Sequence, residues 1–382
     1  VSRAGAVAAA CIAFVAFAWA GGPHPTPYNN FVLLADAFVH GRVWIDWPGA
    51  YIDALRYGDR YYVIEAPMPA LLLVPVVRLV GSHADQRLLA EILGAVATYA
   101  GWEIARTLDV PWRTRALLCG FLLLGTDLFW CAMLGDVWFI AHVASVAFTL
   151  LAILELLRER RGWVVAAFAA CAVESRFTMV VALPVYGAML AYGRGSTAEC
   201  RRRIAAYVAT LAPVAALWVG YNEARWGTPT DIGYTAWYHQ DNAGMPTGSP
   251  FRLAYLAYQL QSFFIQAPER SPDYPYLIPS IGGTALTWTS PALVIALFAR
   301  RTSLAAAMWL LAILAAIPNL LYYVNGYAQF GMRHALDFEP FLFVLMALAL
   351  RRGARPIATI LILYSMAVGV WGVWFWRTFV RH

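Results

Sequence analysis

Arg158-Glu159-Arg160-Arg161, then the apolar run 162–192, then Arg194 and Arg201-Arg202-Arg203: the reading of this stretch decides the fold. Basic residues concentrate on the cytoplasmic side of membrane proteins, so a run with such flanks at both ends starts and finishes on the same side. It must cross twice, and its turn falls on the one charged patch inside it, Glu174-Ser175-Arg176. Further basic clusters at Arg300-Arg301 and Arg351-Arg352/Arg355 recur on the same alternate loops, which assigns those loops to the cytoplasm. The acid-, Tyr- and Trp-rich segments between them then gather on the opposite face, where the chemistry is expected.

Composition agrees. Of 382 residues 61% are hydrophobic and 13% charged, with a mean hydropathy of +0.59, whereas a soluble domain carries roughly 25% charge. The net charge of +6 comes from short arginine loops facing anionic lipid rather than from a nucleic-acid surface. Every basic residue is arginine, so no lysine is available as a base or phosphate ligand. Cys11, Cys119, Cys131, Cys171 and Cys200 stand singly and suggest neither a disulfide framework nor a zinc site. Arg3, an apolar run and Ala18-Trp19-Ala20-Gly21 imitate a signal peptide but are read as an uncleaved first helix.

Apolar stretches near 4–20, 86–105, 115–134, 138–157, 204–222, 303–323 and 356–378 approach the length of about 20 residues that a span needs. Shorter ones lie at 285–299 and 336–350, and 162–192 counts twice. Residues 67–81 are too short and are expected to dip in without crossing, since omitting them puts every arginine cluster inside. The prediction is an all-α bundle of about 11 crossings forming a single domain over residues 1–382, with the N-terminus inside. Outer loops at 21–66 and 223–284 form the site face, the first with an interfacial helix from Asn30 to Gly41 and the second with a helical stretch near 251–265.

The first loop holds Asp36, Asp46, Asp53, Asp59 and Glu65 among Trp44, Trp47, Tyr51, Tyr57, Tyr61 and Tyr62. Carboxylates can take a proton from a hydroxyl while aromatic rings stack on sugar faces; an aromatic interfacial belt is the plain alternative. Asp136, His142, Glu174, Arg176, Arg333, His334 and Asp337 sit in or beside spans, where ionisable groups are functional candidates by default. Arg333 and Asp337 could also form an internal i, i+4 ion pair. Even so, the Arg176 and Arg333 guanidinium forks suit a phosphate. Asn222, Asp231 and Tyr234 stand at the opening of the second loop; Asp231, His239 and Asp241 match no metal template, and no metal or cofactor is expected. Phosphate-loop, dinucleotide, serine-hydrolase and zinc-protease motifs are absent.

The order of an N-terminal helix, an acidic outer loop with an interfacial helix, and Tyr61-Tyr62 leading into Pro67-Met-Pro-Ala-Leu-Leu-Leu73 resembles the GT-C superfamily of polytopic glycosyltransferases, including protein mannosyltransferases and aminoarabinose transferases. Asn222 to Pro229 (Asn-x-x-Arg-Trp-Gly-Thr-Pro) and Gln329 to Pro340 (Gln-Phe-Gly-x-Arg-x-x-x-Asp-x-x-Pro) are similar to later outer-face motifs of bacterial members. The resemblance implies transfer of a sugar from a polyprenyl-phosphate donor to a lipid, glycan or protein acceptor, usually with inversion, at the face of a bacterial inner membrane turned to the periplasm or cell exterior. Where the family has its acid at the first interfacial helix, this chain has Asn29 and Asn30. The base is therefore assigned to Asp53, then to Asp36 and Glu65. The implied substrate-binding set is Arg333, His334, Asp337, Arg176, Asp136, His142, Asn222, Tyr234, Tyr61 and Tyr62, with Arg333 on the departing phosphate. The rival readings are a lipid or lipid-linked sugar flippase, and a membrane ligase or acyltransferase using His40, His142, His239 or His334 as base.

Overall fold

The computed structural model describes residues 4–49, 52–192, 195–241 (without the Asp241 side chain) and 248–380. Arg3, Tyr51, Arg194 and the Asp241 carboxylate, named above, lie outside them. In chain order the elements are α1 (Ala4–Gly21), α2 (Asn30–Val39), a hairpin of β1 (Leu55–Tyr57) and β2 (Arg60–Tyr62), and α3 (Met68–Val80). There follow α4 (Gln86–Thr107), α5 (Trp112–Leu124), α6 (Leu128–Leu134), α7 (Val137–Leu157), α8 (Gly162–Val173), α9 (Leu183–Ala191) and α10 (Thr197–Trp226). The last part contains α11 (Gly233–Asp241), α12 (Leu256–Phe264), the short pair β3 (Glu269–Arg270) and β4 (Leu277–Ile278), α13 (Leu286–Thr289), α14 (Ser303–Leu320), α15 (Glu339–Ala349) and α16 (Pro356–Phe375).

Six helices among the described residues are long and apolar enough to cross a membrane: α1, α4, α7, α10, α14 and the stretch Pro356–Val380 containing α16. The pair α5 and α6, bent by 51°, makes a seventh if taken as one span. The chain is thus mostly helical and membrane-like, but only six or seven of the eleven expected crossings have the length. Counting apolar residues overestimates reach where the backbone is not α-helical. Pro291–Phe298, within the expected span 285–299, is a 3-10 helix, about 16 Å long at roughly 2 Å per residue, against a hydrocarbon core of about 30 Å. The 162–192 run does turn at residues 174–176, between α8 and the 3-10 stretch Phe177–Ala182 that leads into α9.

α7 is the central helix, with 83% of its apolar window buried, while α10 has 6% and lies at the periphery. Small residues let the helices approach closely: a Cβ on Gly369 of α16 would fall 1.8 Å from the Leu124 carbonyl oxygen of α5. α10 is begun by a capping box, Ser196 accepting from Glu199 N at 3.3 Å while Glu199 Oε2 accepts from Ser196 N at 2.8 Å, and is ended by Gly227 at φ +67°.

The arginine loops meet at one end of the bundle. Arg158 and Arg106 share Glu103, Arg351 pairs with Asp109, and Arg160 reaches the Tyr192 carbonyl. The acidic loops meet at the other: Val137 N bonds Tyr28 O, Met68 N bonds Glu174 O, and Arg252 N bonds Leu321 O. The expected interfacial helix exists as α2, but it does not lie loose. Phe31, Val32, Leu34 and Ala35 are buried in one cluster with Leu73, Val77, Val137 and Ile140, and Gln86 ties Phe31 N to the Gly135 carbonyl.

Candidate functional site

Asp337 organises the site. It closes the 3-10 stretch Arg333–Asp337, whose pitch sends Arg333 and Asp337 in different directions. The i, i+4 ion pair considered above is therefore not formed. Asp337 Oδ1 accepts from Arg176 Nε at 3.1 Å and faces His142 Nδ1 at 3.2 Å; Oδ2 accepts from Arg176 Nη2, Thr178 Oγ1 and Asn319 Nδ2 at 2.8, 2.8 and 2.9 Å. A buried carboxylate with this many donors is held in one orientation. It brings the 174–176 turn, α7 and α14 to the same point.

Arg333 is 7% exposed and has no carboxylate within ion-pair distance among the described residues. Its Nη1 donates to the Gly326 carbonyl and to Gln329 Oε1 at 3.0 Å, and its buried Nε has no hydrogen-bond partner. A desolvated guanidinium bound only by neutral oxygens retains its charge for an anion.

Glu65 lies between β2 and α3. The Met68 N to Glu174 O bond, 2.7 Å long, docks this segment on the 174–176 turn. Its carboxyl is buried, with Oε2 unpartnered, and burial, reinforced by nearby Asp53, pushes its pKa up to about 8 against the pull of Arg176 and Arg333. Asp53 itself accepts a bond from Trp138 Nε1 at 2.8 Å.

Aromatic rings border these groups. Tyr234 and Tyr322 both act electrostatically with Glu65 and Arg176, and their rings are 6.2 Å apart, edge to face. Tyr322 lies 6.1 Å from His334, whose ring is 5.4 Å from that of His142. The structure thus brings Asp53, Glu65, Arg176, Arg333, His334, Asp337, His142 and Tyr234 together.

Other expected site residues are engaged elsewhere. Asp36 pairs with His40, the residue just past the end of its helix, at 3.6 Å, both substantially exposed. Asp136 accepts from the Thr26 hydroxyl and so ties α7 to the first loop. Asn222, fully buried, accepts from Arg225 Nη2 at 2.8 Å. Tyr62 packs on Trp226 with ring centroids 4.9 Å apart, and Tyr61 packs on Trp47 at 5.0 Å. Sequence reasoning passed over Asn319, Thr178, Trp138 and Tyr322. Asn319 had a readable signal, because an amide at the end of an apolar run needs a buried partner. No group of three His, Cys, Asp or Glu side chains among the described residues could hold a metal ion.

No protein-family model, curated protein or solved structure matches this chain. The functional reading therefore rests on the residues and their geometry.

Proposed function

We propose that the protein is a GT-C-type glycosyltransferase, moving a sugar from a polyprenyl-phosphate donor to a hydroxyl acceptor on a lipid, glycan or protein. What supports this is one arrangement: a buried carboxyl of raised pKa, Glu65, facing two guanidiniums, Arg176 and Arg333, beside Tyr234 and Tyr322. A base, an anion ligand and stacking faces are what an inverting transfer from a glycosyl phosphate requires. Glu65 replaces Asp53 as the favoured base, since Asp53 is engaged by Trp138 and acts by raising the basicity of its neighbour.

In the proposed reaction Glu65 takes the proton of the acceptor hydroxyl as its oxygen attacks the anomeric carbon. The bond from that carbon to the phosphate oxygen breaks, and Arg333, free of any carboxylate partner among the described residues, holds the departing phosphate. The separation of arginine loops from acidic loops supports a bacterial inner-membrane protein with its site toward the periplasm. The shorter apolar helices 162–173, 177–191 and 339–349 supply three further spans, which with the bent pair α5 and α6 taken as one brings the proposed topology to ten crossings, and the eleventh would fall to the 285–299 run.

The flippase reading draws on Asp127 and Glu339, buried carboxyls with oxygens that lack hydrogen-bond partners, as ion-coupled transport needs. Purified protein in nanodiscs, offered polyprenyl-phosphate sugars labelled in the sugar, separates the two. Labelled acceptor that disappears in Glu65→Gln supports transfer; lipid movement without product supports transport.

A further inference from the structure

The proposed transfer step gives His142, expected among the substrate-binding residues, no specific contact, although it stands at the centre of the site. It is 1% exposed, on the central helix α7, and faces the Asp337 carboxylate through Nδ1 at 3.2 Å. The other groups on Asp337 fix what that contact means. Arg176 Nε and Nη2 and Asn319 Nδ2 can only donate, and Thr178 Oγ1 donates in its turn, so the carboxylate is fully engaged as an acceptor. His142 Nδ1 must then carry the proton, and a neutral ring has its lone pair on Nε2. The Nδ1 contact is the one hydrogen bond of the His142 ring among the described residues.

We propose that His142 Nε2 is a specificity contact that accepts a hydrogen bond from a hydroxyl of the donor sugar, with Asp337 as the positioning residue that sets its tautomer. This rests on the transferase reading above. The site is then polarised: Arg333, with Arg176 beside it, offers only donors and takes the phosphate, whereas His142 Nε2 offers only an acceptor and takes a hydroxyl. The phosphodiester of a polyprenyl-phosphate sugar has no proton to give Nε2 at neutral pH, so the two ends of the donor are told apart and its orientation is fixed. The neighbouring His334 ring is centred 5.4 Å from that of His142 and tilted by 30°.

The test uses the full chain in detergent micelles with ¹⁵N-labelled histidine, the His142 resonances being assigned by their loss in His142→Gln. At pH 7.5 the expected result is a protonated Nδ1 and a bare Nε2. A protonated Nε2 overturns the proposal without recourse to any variant. Inorganic phosphate and a panel of hexose and pentose 1-phosphates are then titrated. At least one sugar phosphate is expected to shift the Nε2 resonance and to bind about tenfold more tightly than phosphate, an advantage lost in His142→Phe while phosphate binding persists. If phosphate and every sugar phosphate bind equally and Nε2 does not move, the His142 assignment fails and the anion site stands. If neither binds, the glycosyl-phosphate reading of the site fails as well.

Discussion

Asp337 and Arg176, 161 residues apart in the chain, form a two-point contact at 2.8 and 3.1 Å in which the carboxylate is fully buried. This contact joins the turn between the two halves of the 162–192 run to the segment before α15. Removing one partner leaves a buried charge, which costs about 3–5 kcal/mol. Arg176→Leu and Asp337→Leu are each expected to lower thermal stability in detergent by that order. The double variant loses less than the sum, and a double-mutant cycle reads the difference.

Glu65 predicts an unusual pH response. Its folded pKa of about 8 lies above the ordinary value of 4.5, so between these values the folded chain holds a proton that the unfolded chain releases. Stability from this group therefore falls as pH rises from about 4.5 to about 8 and is level above. Glu65→Gln removes the effect: the variant is expected to melt higher than wild type at pH 8, with the gap closing toward pH 4.5. Its transfer activity is lost, whereas wild-type activity rises with pH toward about 8 as the base ionises.

Arg333 sets the anion site. Arg333→Lys keeps a charge but loses the planar guanidinium whose Nη1 donates to both the Gly326 carbonyl and Gln329 Oε1 and whose remaining N–H groups are left for an anion. Affinity for phosphate, measured by titration calorimetry, should fall about tenfold to a hundredfold, with the melting temperature changing less than in Arg176→Leu.

What the sequence made legible was whatever depends on periodicity and charge. The break at Glu174-Ser175-Arg176 follows from apolar run lengths and arginine placement and appears in the structure between α8 and the 3-10 stretch, and residues 67–81 form the short helix α3 that their length allows. The partner of Asp337 was not legible, because an α-helical spacing drawn on Arg333 and Asp337 presumes α geometry where the chain adopts a 3-10 turn. Asp36 and Glu65 looked equivalent as loop acids, and only burial separates a carboxyl paired with a local histidine from one desolvated beside two arginines. Asn222 and Tyr62 carried the signature of site residues; in the structure Asn222 accepts from Arg225 on its own helix, and Tyr62 packs its ring on Trp226 at the end of α10.

Helix approach gives a prediction independent of chemistry. A Cβ on Gly369 would lie 1.8 Å from the Leu124 carbonyl oxygen, a backbone atom that cannot turn aside. Gly369→Ala should destabilise the bundle by about 1–3 kcal/mol. Once folded at low temperature it should retain phosphate affinity at Arg333, which separates packing from the site.

The most direct measurement of the central claim follows the leaving group. Wild-type protein and Glu65→Gln, in nanodiscs at pH 8 with a polyprenyl-phosphate sugar and a lipid acceptor extract, are assayed by mass spectrometry for free polyprenyl phosphate and glycosylated acceptor. The account predicts that both form in equal amounts with wild type and neither with Glu65→Gln, even though the variant is folded and still binds phosphate. Equal turnover in the two proteins, or donor that crosses the bilayer with its sugar still attached, would contradict it.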